Sequence, residues 1–227
     1  MPRTAIIAAL PREIAPLVRG LTADSTLRRR HIYLYRLEYA VVVAAGMGAI
    51  RATLAVEAAL AQPGITTLLS TGLAGACTHL AHPGEIIEAG IVIDAQTGER
   101  YAASSASTAV LVTTDAIANI REKSRLARSY LATLVDMEAA TVARLAAAHG
   151  LAFRALKAVS DAHDFELESL ARFANPHGHF RTAAFALHTA VRPKHWPRTI
   201  QLGRHSKQAL AALNARLKEI AATNSSS

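Results

Sequence analysis

The chain carries a single cysteine, Cys77, in 227 residues. That count excludes an intramolecular disulfide and leaves the thiol the role of a small core residue. Aromatic residues are sparse, at 5% of the sequence. No stripe of aromatic and basic residues is present, so nucleic-acid binding is not expected. No apolar stretch approaches the length of a membrane span. The opening "MPRTAIIAALPRE" has too short an apolar run for a signal peptide and reads as a first buried strand. His79, His82, His163, His177 and His179 lack the H-E-x-x-H spacing, and one cysteine adds little, so no metal site is expected. Ser160 has no G-x-S-x-G elbow around it, which argues against a serine hydrolase. Together these absences imply a soluble protein of a reducing compartment, the cytoplasm.

Acidic residues are also in deficit, with 17 against 25 lysines and arginines. Most of the excess lies from Val191 onward, where Arg192, Lys194, Arg198, Arg204, Lys207, Arg216 and Lys218 meet one acid, Glu219. Such a tail suits peripheral contact with an anionic membrane surface, or is a solvated helix face. Both readings stay open from the sequence.

What is abundant is hydrophobic residue, 51% of the chain, enough for a sizeable core. Apolar runs bounded by turn signals recur: "TAIIAAL", "YAVVVAAG", "ITTLLSTG", "GEIIEAGIVIDA", "AVLVTT" and "AFRALKAVSD". They read as buried strands. Between them, "GAIRATLAVEAALAQPG" and "DMEAATVARLAAAHG" have helical character, the second ending at Gly150 as a C-terminal cap. This alternation predicts a layered α/β fold with helices on both faces of a sheet. The stretch 164–193 reads as two further helices broken at Asn175-Pro176. In "SKQALAALNARLKEI" Ala209, Leu210, Leu213, Leu217 and Ile220 form one stripe, with Ser206 as N-cap. "RYAASSASTAV" reads as a loop leading into a strand, and residues 221–227 as a disordered end. The stripe suits packing on the core or on a neighbouring subunit, or a membrane surface.

Two glycine-rich turns follow strands. "AAGMGAIRA" opens a helix, and its glycines let backbone N–H groups face an anion or a sugar hydroxyl. "LLSTGLAGAC" has the same form. Glu13, Gly46, Thr71, Thr113 and Asp161 all fall at or just past strand ends, where ligands collect in open α/β sheets. Arg12, Arg51 and Arg144 read as surface charges or ligand contacts. Glu138 and Asp161 sit at the edges of apolar segments. Glu138 can cap its helix and Asp161 can brace a turn.

At these residues the chain resembles the nucleoside phosphorylase/nucleosidase superfamily, nearest to the 5'-methylthioadenosine/S-adenosylhomocysteine nucleosidases. "IIAALPREI" is similar to that family's first strand and catalytic glutamate, "AAGMGAIRA" to its ribose-side loop and "STGLAGA" to its N-T-G-S-A-G-G turn. "VDMEAATVA" resembles V-E-M-E-A, and "LKAVSDAHD" resembles R-A-I-S-D, about two dozen residues later. The resemblance implies a three-layer α/β/α sandwich around a central mixed sheet, homo-oligomeric assembly, no cofactor, and cleavage of an N-glycosidic bond. A catalytic domain over residues 1–190, a basic helical extension over 191–220 and a tail over 221–227 follow as the expected organisation.

Carried over by resemblance, Glu13 activates water, while Met137 and Glu138 hold the ribose beside the Gly46-Met47 loop and the Thr71-Gly72 turn. Asp161 gives a hydrogen bond or proton to N7 of an adenine, Ser160 orients it, and the backbone at Ile117 and Ala118 reads the base edge. Carboxyl groups serve as acid, base and charge stabiliser in such reactions. Asp161 is then expected to be protonated in a semi-apolar strand end, and Glu138 ionised. Departures from the family are Leu73 in place of serine, Ile117 in place of an aromatic, Asp136 in place of glutamate, and a shorter segment between Gly84 and Thr113. Alternatives are a phosphate-dependent phosphorylase and the hopanoid-associated branch acting on adenosylhopane, which "VTTDAIA" resembles. A non-catalytic adenosyl-compound sensor is a further alternative.

Overall fold

Four of the apolar runs become the centre of one sheet: β1 (Arg3–Ala8), β3 (Ala40–Ala44), β4 (Ile65–Ala76) and β10 (Ala152–Asp161). They are parallel where they pair, and buried on both faces, which is why their sequences run apolar instead of alternating. A computed structural model describes residues 3–165 and 196–223, with side chains of the last helix described from Lys207 to Ala222.

The remaining strands are β2 (Tyr33–Arg36), β5 (Ile86–Glu88), β6 (Ile91–Asp94), β7 (Arg100–Ala102), β8 (Val110–Thr113) and β9 (Leu134–Asp136). Among the described residues the sheet has ten strands in the order β2-β3-β1-β4-β9-β8-β6-β7, with β10 paired to β4 and to β5. Antiparallel pairs β2–β3, β5–β10, β4–β9 and β6–β7 make the sheet mixed. β4 is the pivot. It pairs with β1 over its first half, with β10 along most of its length, and with β9 at Gly75 and Ala76.

Side-chain alternation along β1 distributes the two cores. Ala5 and Ile7 face α3 (Ala49–Leu60) and α5 (Ala139–Ala148), meeting Ala52, Val56, Ala59, Val142 and Ala146. Ile6 and Ala8 face the other way, toward α1 (Pro11–Ile14) and the C-terminal helix α6 (Trp196–Thr223), meeting Ile14, Leu213 and Leu217. Two further helices are α2 (Ser25–Arg28) and α4 (Ile120–Tyr130). Helices on both faces of a mixed sheet make the three-layer sandwich that the sequence implied.

The stripe on α6 is buried against this sheet: Ala209, Leu213 and Leu217 are inaccessible and Leu210 is partly covered. Each fully buried leucine contributes roughly 1.5–3 kcal/mol as an upper bound. Of the sequence readings of that stripe, packing on the chain's own core is the one realised, and the apolar face offered to a membrane is taken. The helix also starts before Ser206, which lies inside it and is no N-cap, and it runs to Thr223 into the stretch expected to be disordered. No helix among the described residues is long and apolar enough to cross a membrane.

Gly150 ends α5 as expected, with φ +64° and Leu151 N–H closing on the Ala146 carbonyl at 2.9 Å. α5 itself begins at Ala139, because Leu134–Asp136 forms β9 instead of a first helical turn. Arg100–Ala102 pairs with β6, so the stretch read as a loop begins as a strand. α4 is rich in charge and buries only Lys123 and Leu126, with Ala127 and Tyr130 packed beside them, so few apolar residues mark it in the sequence. Past Phe165, the two helices expected over 164–193 lie outside the described residues, as do His177 and His179.

Candidate active site

Glu13 closes the single turn of α1, whose first residue Pro11 suits a helix start. Its carboxylate folds back on the turn: Oε2 accepts from the backbone N–H of Ala9 at 3.1 Å and of Leu10 at 2.9 Å. Oε1 accepts from Leu73 N–H at 3.2 Å, across the sheet on β4. A side chain at Gly72 would place its Cβ 2.8 Å from Oε2, so the carboxylate lies directly on the glycine. Burial pushes the Glu13 carboxyl up from its ordinary value, with the Leu10 and Leu73 N–H groups and Lys157 opposing it.

Glu138 stands at the N-cap position of α5, yet it makes no side-chain cap. Its Oε1 accepts from Gly48 N–H at 2.7 Å, joining the glycine loop after β3 to the Met137-Glu138 turn after β9. The capping expected of Glu138 is done by Asp136, whose Oδ2 accepts from Ala139 N–H at 3.0 Å. Gly46 does not offer its N–H outward, since that group donates to the Ala9 carbonyl at 2.7 Å. Met47 and Met137 are half-buried, each preceding one partner of the Gly48–Glu138 bond. Burial, then the neighbouring Asp136 charge, pushes Glu138 up to about 7, with Lys157 and the Gly48 N–H opposing. That direction runs against the ionised form expected of Glu138.

Lys157 sits at the centre of this group, 1% exposed. Its ammonium forms an ion pair with Asp136 Oδ2 at 2.9 Å and donates to Ser70 Oγ at 3.0 Å and to the Thr71 carbonyl at 3.2 Å. Those contacts match its three donors. Burial opposes the charge on Lys157, but Asp136, Glu138 and Glu13 outweigh it and hold its pKa above the ordinary value. Asp136 also accepts from Thr113 Oγ1 at 2.7 Å, and Thr113 Oγ1 accepts from Ala140 N–H at 2.9 Å, so Thr113 is bound into the protein's interior. The Thr71 hydroxyl likewise donates to the Leu156 carbonyl at 3.0 Å, within the sheet.

The second group lies three residues farther along β4, about 10 Å at strand rise. Asp161, 4% exposed, ends β10. Its Oδ2 accepts from the ammonium of Lys123, itself 1% exposed, which also donates to the Ala162 carbonyl at 2.8 Å. The Ser160 hydroxyl lies in reach of Asp161 Oδ1 and of the Ala74 carbonyl, at 3.1 Å from the latter. The semi-apolar surroundings expected for Asp161 are thus corrected to a buried ion pair. The loop between β8 and α4 holds half-buried Ile117 and buried Ala118, the latter packed with Cys77 and Val135. Arg51 braces the backbone, donating to the carbonyls of Ala45 and of His31, the latter at 2.8 Å.

The sequence reading missed Lys157, Lys123 and the role of Asp136. Lys157 had a visible signal, a cation inside the apolar run "AFRALKAVSD". Lys123 had none, being one of several cations on a polar helix. No cluster able to hold a metal ion occurs among the described residues. Glu13, Asp136 and Glu138 around one ammonium leave the first group net acidic when ionised, an environment that accepts protons and stabilises a cation.

The family profile described as the phosphorylase superfamily matches residues 3–103 and 97–192. No curated protein matches the chain. Among solved structures, the chain is similar to a 5'-methylthioadenosine/S-adenosylhomocysteine nucleosidase from Neisseria meningitidis in complex with methylthio-immucillin-A. That pair has 17% identity and TM-score 0.71, covering 97% of this chain and 98% of the other. The Helicobacter pylori enzyme of the same name, with butyl-thio-DADMe-Immucillin-A, gives 14% identity and TM-score 0.65, covering 96% and 99%. A futalosine hydrolase of Helicobacter pylori gives 16% identity and TM-score 0.62, covering 72% and 86%. At these identities the likeness is one of fold.

Proposed function

The chain belongs to the phosphorylase superfamily, and from its site we propose that it hydrolyses the N-glycosidic bond of an adenine nucleoside carrying a modified 5' group. The observation that carries this is the acidic cluster of Glu13, Asp136 and Glu138 around Lys157. An oxocarbenium-like sugar is favoured by such a site, while a phosphate dianion is repelled. Lys157 does not relieve that repulsion, because its donors already meet Ser70, Thr71 and Asp136. Water is therefore favoured over phosphate as the nucleophile.

In this reading Glu13 takes a proton from water as its oxygen attacks C1' of the sugar. A carboxyl raised by burial is better matched to that task near neutral pH than an ordinary one. Glu138 accepts from the ribose hydroxyls, with Met137 and the Gly46-Met47 loop alongside, and hydroxyl donors favour its ionised form. The Thr71-Gly72 turn supplies the close approach. Asp161 protonates N7 so that the base departs neutral, Ser160 orients it, and the backbone at Ile117 and Ala118 meets the base edge. The relatives' names set the substrates to try: methylthioadenosine, adenosylhomocysteine and futalosine, with adenosine as the unsubstituted control.

The test is release of free base from each nucleoside with and without phosphate. Release without phosphate is the expected result. Strict dependence on phosphate would move the assignment to a phosphorylase, and tight binding with no release to an adenosyl-compound sensor.

A further inference from the structure

Lys123 is fully buried, and the reaction above does not use it. It leaves α4 and reaches β4 at Gly75, where an added Cβ would lie 3.2 Å from Lys123 Cε and 3.1 Å from Asp161 Oδ2. The glycine opens the space in which the ammonium and the carboxyl meet. Asp161 Oδ2 faces the Lys123 ammonium, and Oδ1 shares the single Ser160 hydroxyl hydrogen with the Ala74 carbonyl. An ionised carboxylate only accepts hydrogen bonds, so one paired with an ammonium has no proton of its own to give. A departing purine needs one.

The groups around the pair narrow the source. Cys77 follows β4 close by, and burial pushes its thiol up to about 12, which makes it a poor acid there. Glu122, the neighbour of Lys123 on α4, is held in its ionised form chiefly by Arg125 and has no proton to offer near neutral pH. The Ser160 hydroxyl is far too weak an acid. Lys123 is the ammonium in contact with Asp161.

We propose that Lys123 is a positioning residue that stores the proton Asp161 delivers to the leaving base, an inference that rests on the nucleosidase reading. As the C1'–N9 bond breaks, its electron pair moves into the base, and the Lys123 ammonium passes a proton to the Asp161 carboxylate and becomes a neutral amine. Asp161 hands that proton to the N7 lone pair. Water adds its oxygen to C1' and gives its proton to Glu13, and that proton returns through solvent to Lys123 after product release. Atoms and charge balance as nucleoside plus water to base plus free sugar. Asp161 is a carboxylate again once N7 holds the proton, and that buried negative charge draws the returning proton back to Lys123.

The experiment compares Lys123→Met with wild type on a purine nucleoside and on its N7-methylated counterpart. The methylated base already carries the positive charge that protonation would supply. Expected is a loss of about 100-fold in kcat on the unmodified nucleoside, with KM little changed, and a near-normal rate on the methylated one. An equal loss on both substrates would reveal a structural role and overturn the proposal, as would no loss on either. Because a lone buried carboxylate threatens folding, K123M/D161N is compared with D161N. Both turning over alike on the unmodified nucleoside supports a lysine acting only through Asp161, and a further fall in the double variant overturns it. Wild type releasing base from neither nucleoside would bring down the nucleosidase reading itself, and this inference with it.

Discussion

The side-chain amide of Asn214 on α6 donates to the main-chain carbonyl of Glu13 at 2.7 Å, joining residues 201 positions apart in the chain. The same side chain accepts from Leu17 N–H at 3.1 Å, so the last helix clamps both sides of the short turn that carries Glu13. The basic C-terminal segment is therefore part of what positions the site, beyond any role of its charge. Its apolar stripe supplies the adhesion and Asn214 supplies the register.

Replacing Asn214 by Leu removes the Asn214 donor from the Glu13 carbonyl, while the Leu17 N–H keeps the Ile14 carbonyl at 2.9 Å. Stranding one buried carbonyl costs about 1–3 kcal/mol. Urea unfolding is expected to shift to lower midpoint by an amount in that range, with base release falling as Glu13 loses its anchor. An unchanged midpoint together with unchanged turnover would show that α6 does not hold the Glu13 turn.

Gly72 has φ +118° and lies 2.8 Å, through its missing Cβ, from Glu13 Oε2. Gly72→Ala must move the carboxylate and strain the backbone, a cost of about 1–3 kcal/mol for the strain alone. Turnover is expected to fall at least about tenfold while the protein still folds, since catalytic geometry tolerates small displacements poorly. Wild-type turnover in Gly72→Ala would contradict the placement of Glu13 as the base.

Glu138 is raised from 4.5 to about 7 in the folded protein. Between those values the folded state binds the proton and the unfolded state has released it, so stability falls as pH rises through that window and is flat above it. The effect is of the order of 1–3 kcal/mol, reduced because the side chain keeps part of its surface in water. Thermal melts at pH 5 and pH 8 should show a larger difference for wild type than for Glu138→Gln. Equal differences would remove Glu138 as their source.

Lys157 and Asp136 form a pair in which both side chains are sealed from solvent. Lys157→Met alone leaves the Asp136 charge uncompensated, which costs about 3–5 kcal/mol. Adding Asp136→Asn is expected to recover a large part of that loss in urea unfolding, although turnover stays low. A single variant as stable as wild type would show that the pair contributes nothing to the fold.

The sequence by itself determined the central strands β1, β3, β4 and β10, because burial on both faces demands continuous apolar runs and those are visible one residue at a time. It also drew attention to Glu13, Glu138 and Asp161, through the resemblance and because an acid at the edge of an apolar run is conspicuous. Which partner each acid meets was decided only by the tertiary structure. Glu138 occupied the capping position and yet took Gly48, while Asp136 made the cap. Asp161 met Lys123, from a helix whose charge-rich surface hides one buried cation among exposed ones. The Ala209-to-Ile220 stripe was legible as apolar, but only the folded chain chose between its own core and an outside surface. The physical reason is range: periodicity and burial are properties of neighbouring residues along the chain. Ion pairs and hydrogen bonds such as Asn214 to Glu13 depend on distances that exist only after distant segments have packed.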